Sequence, residues 1–411
     1  MMAYGNIIKR IKYWGQLLLL PVYGLSFLCH RDKNIWLFGS GFGQRFAENP
    51  RYLYLYTRQH KADKIHAIWI SHQTDIVTYL QACGQEAYYY RSLKGIWYEL
   101  HAGRYIFDNY SKDISFWLSG GAVKINLWHG SGNKKTNYDN VFDRVRHPKN
   151  IGERWQTWLR RMSDEKPNHY TLATSEAMSE IFQSAFRTDA KHIIIEGYPR
   201  NDMLFAETES LIHNLLTVQE QRLLQRLQEK KTEGYTLLAY LPTFRDSEEV
   251  FFTVMDLELF NQYLIEHKRI LVTKLHPKSK LKERFEEIQY SNIISADAQI
   301  DVYSFLGLID VLITDYSSVY TDYMLLDRPV VAFQYDLALY EANTRDSYIP
   351  QDTYMPEIKA ATMEELMHAV NQVLLEDTHR AARRQSRTRM FQTIDGHSSA
   401  RLFEQIYKMG E

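Results

Sequence analysis

The chain has 411 residues, of which 45% are hydrophobic and 24% are charged, and its formal net charge is -1. This length exceeds the size at which one hydrophobic core usually stops growing, so two folded domains are expected. The balanced charge gives no general attraction to nucleic acid, and no nucleic-acid partner is predicted. Two cysteines, Cys29 and Cys83, are too few for a disulfide or zinc framework and favour a reducing, cytosolic compartment.

An apolar run at residues 13–29 has basic residues on both sides, including Lys9 and Arg10. It is shorter than the roughly 20 apolar residues of a membrane-spanning helix, and Pro21 interrupts it. Leu28 stands before Cys29, where a lipoprotein-type cleavage site needs a small residue, so secretion is not predicted. Residues 1–33 are therefore expected to attach peripherally to the inner leaflet, at the cytoplasmic face of the cell membrane. The alternative is a helix packed on the N-terminal domain.

From residue 34 onward, short β-rich runs alternate with polar or helical stretches, a pattern typical of parallel α/β sheets. A charged helical stretch at 210–231 separates two series of strands and marks the domain boundary. The sequence thus predicts two doubly wound, Rossmann-like domains, 34–208 and 209–385, facing each other across a cleft. A C-terminal helix in 386–411 can cross back to the first domain. Strands are predicted at 34–40, 64–71, 87–90, 104–108, 123–128, 170–174, 192–196, 235–240, 269–274, 292–295, 311–314 and 329–333, with helices from 363 onward.

The strongest motif is IDVLITDYSS at 309–318, a buried strand whose end opens a helix. Ser317 and Ser318 would lie where free N–H groups and the helix dipole favour a phosphate, and their hydroxyls add donors. Simple N-capping by Asp315 or Ser317 is the alternative.

Two further loops follow neighbouring strands of the second domain. KLHP at 274–277 turns His276 toward the cleft, where an imidazole can donate to a phosphate oxygen. LPTFRD at 241–246 places Arg245 where its planar fork could grip a diphosphate. Each loop alone could be structural, but three phosphate-competent loops after three strands favour an anion site.

In the first domain, NLWHGSG at 126–132 also follows a strand and would oppose these loops. His129 could take a proton from an attacking hydroxyl, with Lys134 and Lys135 just beyond it to attract an anionic substrate. A structural histidine is the alternative. The loop EGYPRND at 196–202 is expected to shape the cleft floor. No Walker-type loop, Asp-x-Asp, HExxH or Cys/His cluster is present in the sequence, so charge stabilisation without a metal is predicted.

Together these loops resemble the CDP-glycerol glycerophosphotransferase family, the teichoic-acid and capsule polymerases and primases with a GT-B fold. The resemblance implies transfer of glycerol phosphate from CDP-glycerol to a hydroxyl of a growing cell-surface polymer or lipid-linked acceptor, with release of CMP. No cofactor beyond the donor is implied. The motifs that carry this resemblance are NLWHG at 126–130, GYPRND at 197–202, PTFRD at 242–246, HP at 276–277, TDYSS at 314–318, DRP at 327–329, YD at 335–336, and DG at 395–396 with Ser399.

By this resemblance His129 is the catalytic base and His276 is both a catalytic and a donor-binding residue. The donor is assigned to Thr243, Arg245, Lys274, His276, Asp315, Ser317, Ser318 and Asp322. Two segments depart from the family pattern: SGN at 131–133 stands where the family usually has Thr-Pro-Leu, and SYIP at 347–350 replaces Gly-x-Tyr-Phe-Asp. A transferase for CDP-ribitol or a nucleotide sugar, and a noncatalytic nucleotide-binding subunit of a polymer-export complex, are the alternative functions.

Overall fold

The structure is a computed structural model that describes residues 13–165, 169–205, 215–245, 249–275, 279, 285, 290–343 and 346–409. The basic residues before the apolar run and the predicted site residue His276 lie outside the described residues.

Seven parallel strands form the first sheet, in the order β3-β2-β1-β4-β5-β6-β7. β2 and β3 lie on one side of β1, and β4 to β7 lie on its other side, so the strand order reverses between β1 and β4. The loops after β1 and β4 therefore flank a crevice at the carboxyl edge of the sheet. The strands are β1 Asp32–Phe38, β2 His66–Ser71, β3 Ala87–Tyr89, β4 Ala102–Phe107, β5 Val123–Asn126, β6 Tyr170–Ala173 and β7 Ile193–Ile195.

Six parallel strands form the second sheet, in the order β10-β9-β8-β11-β12-β13. Here the reversal lies between β8 and β11, which carry the LPTFR and TDYSS motifs at their carboxyl ends. The edge strand β13, Ile358–Ala360, was not predicted from the sequence. The strands are β8 Thr236–Tyr240, β9 Arg269–Thr273, β10 Ile293–Ser295, β11 Val311–Thr314, β12 Val330–Phe333 and β13 Ile358–Ala360.

Helices connect the strands, as crossovers between parallel strands require. Residues 210–214 of the helix predicted at 210–231 lie outside the described residues, and α8 begins at Val218, where Thr217 and Glu220 form a reciprocal capping box. The helices are α1 Leu20–Ser26, α2 Glu48–His60, α3 Thr74–Ala82, α4 Leu93–His101, α5 Ile151–Gln156, α6 Trp158–Glu165, α7 Glu176–Phe186, α8 Val218–Thr232, α9 Glu249–Val254, α10 Leu257–Glu266, α11 Val319–Tyr323, α12 Leu337–Asn343, α13 Gln351–Tyr354, α14 Met363–Leu375, α15 Arg380–Met390 and α16 Ser398–Lys408.

The last helix returns to the first half of the chain. The ring centroids of Phe403 in α16 and Trp36 in β1 are 5.1 Å apart, and both side chains are fully buried. Just before α16, the Gln392 N–H donates to the carbonyl of Thr174 beyond β6 at 2.8 Å. The predicted division at residue 386 falls inside α15, and contact with the first half begins in the last turn of that helix, where the carbonyls of Arg389 and Met390 accept from the hydroxyls of Ser175 and Thr174.

The N-terminal apolar run forms a 3-10 turn, Gln16–Leu19, followed by α1. One side packs on the first domain: Tyr23 stacks on Phe116 with ring centroids 4.7 Å apart, and the Ser26 hydroxyl accepts from the Gly120 N–H at 3.0 Å. The other side faces outward, with Leu18 82% and Leu28 81% exposed. The segment is therefore docked on the domain, as in the alternative interpretation, and still presents an apolar surface.

Within the described ranges, no helix combines the length and the apolar content needed to cross a bilayer.

Candidate functional site

A cavity of about 1200 Å³ lies between the two halves, at the switch points of both sheets. Its walls bring together five of the residues predicted from the sequence, namely His129, Thr243, Lys274, Ser317 and Ser318. Three others, Arg245, Asp315 and Asp322, lie behind the wall. The cavity therefore joins the predicted base and the predicted phosphate loops in one space.

His129 is exposed to the cavity at the end of the loop after β5. Its Nδ1 lies 3.2 Å from the carbonyl oxygen of Asp108. A carbonyl only accepts, so Nδ1 carries the proton in this contact and Nε2 keeps its lone pair for an incoming hydroxyl. The Trp128 ring packs against the imidazole, with centroids 4.1 Å apart. The side chain is thus fixed in the tautomer that suits a general base.

The glycines after His129 bring this loop close to the second domain. Gly130 has a φ of 149°, and a Cβ placed there would lie 3.2 Å from the guanidinium of Arg200 and 3.9 Å from the Ser318 hydroxyl. A Cβ at Gly132 would be 3.6 Å from the Cβ of Ser318. A side chain at Gly130 would crowd Arg200 and strain the backbone, and a Cβ at Gly132 would be in van der Waals contact with Ser318, so the two loops approach each other closely here.

The serine pair opposite His129 does not act as a helix cap. Ser318 occupies the N-cap position of α11, but no side-chain capping hydrogen bond forms there. Among the described residues, neither the Ser317 nor the Ser318 hydroxyl has a hydrogen-bond partner, and both residues line the cavity. Because α11 has only five residues, the hydroxyls and the first free N–H groups are the donors available here, with little help from a helix dipole.

Asp315 organises the loop after β8 instead of capping α11. Its fully buried carboxylate accepts from the N–H of Thr243 at 2.8 Å and from the Thr243 hydroxyl at 2.8 Å. It also accepts from Arg245 at 2.5 Å. Arg245 in turn forms a bidentate pair with Asp336, with one N–O distance of 2.9 Å.

The sequence predicted that Arg245 would extend a free guanidinium into the cavity. In the structure this guanidinium is paired with Asp315 and Asp336. Burial lowers the pKa of this side chain, but the bonds to Asp336 and Asp315 outweigh burial and raise it, so it stays charged. In this arrangement Arg245 holds the shape of the loop that carries Thr243.

Lys274 brings positive charge to the wall of the cavity. Burial lowers the pKa of its ammonium group, and the nearby Arg45 lowers it further. Within the described part of the chain, Lys274 makes no ion pair. A phosphate at this position would relieve both effects, since an opposite charge favours the protonated amine.

Asp322 lies below the cavity and is 1% exposed. Its carboxylate accepts from Arg200 at 2.7 Å and from the Tyr303 hydroxyl, and it does not reach the cavity as a donor ligand would. Arg200 also donates to the carbonyl of His129 at 2.8 Å and pairs with Glu48. This guanidinium is 3% exposed and ties the base loop, α2 and α11 together beneath the cleft. No residue of 196–202 lines the cavity itself, so the GYPRND loop supports the His129 loop from beneath the cleft.

Sequence reasoning missed the loop after β1, GSGFG at 39–43. Asp108 accepts from the Ser40 hydroxyl at 2.8 Å and from the Gly41 N–H at 3.1 Å, while its carbonyl orients His129. Gly43 has a φ of 75°, and a Cβ there would lie 2.4 Å from the ring of His72. Glycines directly after a predicted strand at a switch point were the signal that could have found it.

The described residues contain no group of three or more His, Cys, Asp and Glu side chains placed to hold a metal ion.

Several teichoic-acid enzymes are similar to this chain in sequence or in fold. A teichoic acid poly(glycerol phosphate) polymerase of Bacillus spizizenii is 27% identical over 377 residues, which cover 86% of this chain and 88% of that protein. A teichoic acid glycerol-phosphate transferase of Staphylococcus aureus is 25% identical over 401 residues, covering 92% and 94%. The solved structure of the wall teichoic acid polymerase TagF superimposes with a TM-score of 0.73 at 20% identity, covering 99% of this chain and 97% of that one.

The TagF match confirms the predicted GT-B fold, with two parallel-sheet domains facing across a cleft. The sequence profile of CDP-glycerol:poly(glycerophosphate) glycerophosphotransferases matches residues 22–408, nearly the whole chain. The chain therefore belongs to the CDP-glycerol:poly(glycerophosphate) glycerophosphotransferase family.

Proposed function

We propose that this enzyme transfers glycerol phosphate from CDP-glycerol to a hydroxyl of a growing polymer of the teichoic-acid or capsule type, and releases CMP. The observation that carries the proposal is the position of His129, with a free Nε2, across the cavity from Ser317 and Ser318. Family membership supports the donor and the polymeric acceptor.

In the proposed reaction, the acceptor hydroxyl attacks the phosphorus next to glycerol and gives its proton to Nε2 of His129. A new P–O bond forms to the acceptor, and the bond from that phosphorus to the bridging oxygen breaks, so that CMP leaves with the electron pair. Charge on the diphosphate is held by the hydroxyls of Ser317 and Ser318 and by Lys274. Holding both reactants in one cavity replaces a bimolecular encounter by a positioned attack.

The remaining predicted residues act through their neighbours in this proposal. Asp315 and Arg245 fix the loop of Thr243, whose side chain lines the cavity. Asp322 fixes Arg200 and through it the backbone of His129. We assign Asp315, Arg245 and Asp322 as positioning residues, and we keep His276 as a proposed donor ligand on the strength of its motif.

A donor panel tests the function. The protein is incubated with a glycerol phosphate oligomer as acceptor and with CDP-glycerol, CDP-ribitol or a nucleotide sugar, each with and without EDTA. We expect CMP release from CDP-glycerol at a rate that EDTA leaves largely unchanged, since protein groups supply the charge stabilisation. Faster turnover of CDP-ribitol or of a nucleotide sugar would reassign the donor. Activity that EDTA removes and magnesium restores would disprove the cofactor-free mechanism.

We further propose that the exposed leucines of the N-terminal segment attach the enzyme to the inner leaflet, where a lipid-linked acceptor would be held. The segment from Leu17 to Leu28 is fixed on the domain by Tyr23 and Ser26, so its outward side chains form a preformed apolar surface. Such a surface can enter the interface without spanning the bilayer. The largest exposed fractions belong to Leu18, Leu25 and Leu28.

Replacing Leu18 and Leu28 together by Glu should release the protein from vesicles that contain phosphatidylglycerol. Burying one leucine contributes about 1.5–3 kcal/mol, so the partition coefficient should fall by roughly tenfold or more for each leucine. Vesicle flotation measures the effect, while turnover on a soluble acceptor should persist. Leu375→Glu is the matched control, because Leu375 is 90% exposed on α14. Equal binding by the double variant and the control would contradict this surface.

A further inference from the structure

The loop that carries His129 is joined to the second domain by a short antiparallel pairing, which we call the clasp. It consists of residues 133–136, after β5, and residues 346–349, between α12 and α13. The Tyr348 N–H donates to the carbonyl of Asn133 at 2.8 Å, and the Lys135 N–H donates to the carbonyl of Asp346 at 2.9 Å. Lys134 and Ser347 face each other between these two bonds. The clasp therefore connects the two halves at the rim of the cavity.

Asn133 extends this pairing with its side chain. Its Oδ1 accepts from the Ile349 N–H at 2.8 Å, and its Nδ2 donates to the Ile349 carbonyl at 2.8 Å. Asn133 is 5% exposed and Ile349 is 4% exposed, so water does not compete for these bonds. The amide acts as one more backbone unit of the ladder. A side chain must donate and accept at the same time to do this, and neither Leu nor Asp can.

Two sets of contacts connect the clasp with the loops of the proposed reacting groups, His129 and the serine pair. On one side, the Ser131 carbonyl, two residues after His129, accepts from the hydroxyl of Thr321 in α11 at 3.2 Å. On the other, Lys134 lies 4.9 Å above the ring of Tyr340, which stacks at 3.6 Å on the ring of Tyr316, the residue before Ser317. A shift of the clasp would therefore move the base loop and the serine pair relative to each other.

We propose that Asn133 is a positioning residue for phosphoryl transfer, which keeps the His129 loop at a fixed distance from Ser318 throughout turnover. The proposal rests on the proposed function, because the distance matters only if these two groups act on one substrate. In this view the rim of the cleft beside Tyr340 stays closed, and substrates enter and leave along the rest of the cavity. Asn133 and residues 347–349 of the clasp belong to the two segments, 131–133 and 347–350, in which this sequence departs from the family pattern.

The first test compares Asn133→Leu, which keeps the volume and removes both side-chain bonds, with Asp346→Ala. Asp346 is the matched control, because its backbone carbonyl forms the clasp bond, while its side chain is 76% exposed and, among the described residues, makes only a surface ion pair with Lys135 at 3.4 Å. We expect Asn133→Leu to lower kcat by about 10- to 100-fold, since small misplacements of reacting groups have effects of this size. The Kd for CDP-glycerol, measured by calorimetry, should stay within threefold, and Asp346→Ala should behave as the unmodified enzyme. A kcat for Asn133→Leu within twofold of that for Asp346→Ala overturns this proposal. The proposed function is tested separately, because it fails only if the unmodified enzyme does not release CMP from CDP-glycerol.

The second test does not depend on the folding of Asn133→Leu. Lys134 and Ser347 form a non-hydrogen-bonded antiparallel pair, in which Cα atoms lie about 4.5 Å apart, within the range that a disulfide spans. In the double variant Lys134→Cys, Ser347→Cys, the oxidised and reduced forms should turn over within twofold of each other. Loss of activity on oxidation that a reductant restores would show that the clasp must open and would overturn the proposal. Oxidised unmodified protein, with Cys29 and Cys83 alone, is the control.

Discussion

Replacement of His129 by Ala should lower the rate of CMP release by about 10²- to 10⁴-fold, the range typical for loss of a general base. Donor affinity should change little, because in the proposed mechanism the imidazole acts on the acceptor hydroxyl, and the diphosphate is held by Ser317, Ser318 and Lys274. The measurement is kcat for CMP release, together with the Kd for CDP-glycerol from calorimetry.

His101→Ala is the matched control for this variant. The Nδ1 of His101 also contacts a backbone carbonyl, that of Trp97 at 2.7 Å, but the residue lies on α4 outside the cavity. Its removal should leave kcat within twofold. An equal loss of donor binding and of turnover in His129→Ala would show that His129 binds the donor and does not act as the base.

Replacement of Arg200 by Ala should lower the free energy of unfolding by about 3–5 kcal/mol, because it leaves the carboxylate of Asp322 buried without its cationic partner. Activity should also fall, since the carbonyl of His129 loses its donor. Urea unfolding measures the first effect and CMP release the second. Arg200→Lys should rescue neither fully, because an ammonium group cannot reproduce the planar fork that bridges three partners.

Arg380→Ala is the control for exposed ion pairs. Arg380 pairs with Asp327 and is 54% exposed, so its removal should change the free energy of unfolding by no more than about 1 kcal/mol. The double variant Arg200→Leu, Asp322→Leu should recover part of the stability without recovering activity. If Arg200→Ala proves no more destabilising than Arg380→Ala, the network beneath the cleft does not stabilise the fold.

The strands were predictable because apolar, β-branched runs end at polar residues. Strand β11, Val311–Thr314, has the predicted bounds, set by Asp310 on one side and Asp315 on the other. The other predicted strands differ from the observed strands by a few residues at their ends, where the backbone stays extended but does not pair with a neighbouring strand. The position of His129 opposite Ser317 and Ser318 also followed from the sequence, since motifs after parallel strands meet at one edge of each sheet.

The partners of the charged residues were not predictable. Arg245 pairs with Asp336, 91 residues further along the chain, and a local motif contains no information about such a pairing. Arg200 joins Glu48 and Asp322, which lie 152 and 122 residues away from it. The Arg245–Asp336 pair depends on the strand order of the second sheet, and the Arg200–Asp322 pair depends on how the two sheets meet. Both pairs lie behind the cavity wall and involve residues that were expected to be ligands.

The return of α16 to the first half has a consequence for the order of folding. The ring of Phe403 completes a core that begins with Trp36, so two of the most buried aromatic side chains in that core are separated by most of the chain. During synthesis the first sheet can form its strands early, but one face of its packing stays open until α16 emerges from the ribosome. Such long-range closure slows folding and leaves apolar surface exposed in the meantime. The first half of the fold is thus completed last, although its sheet is made first.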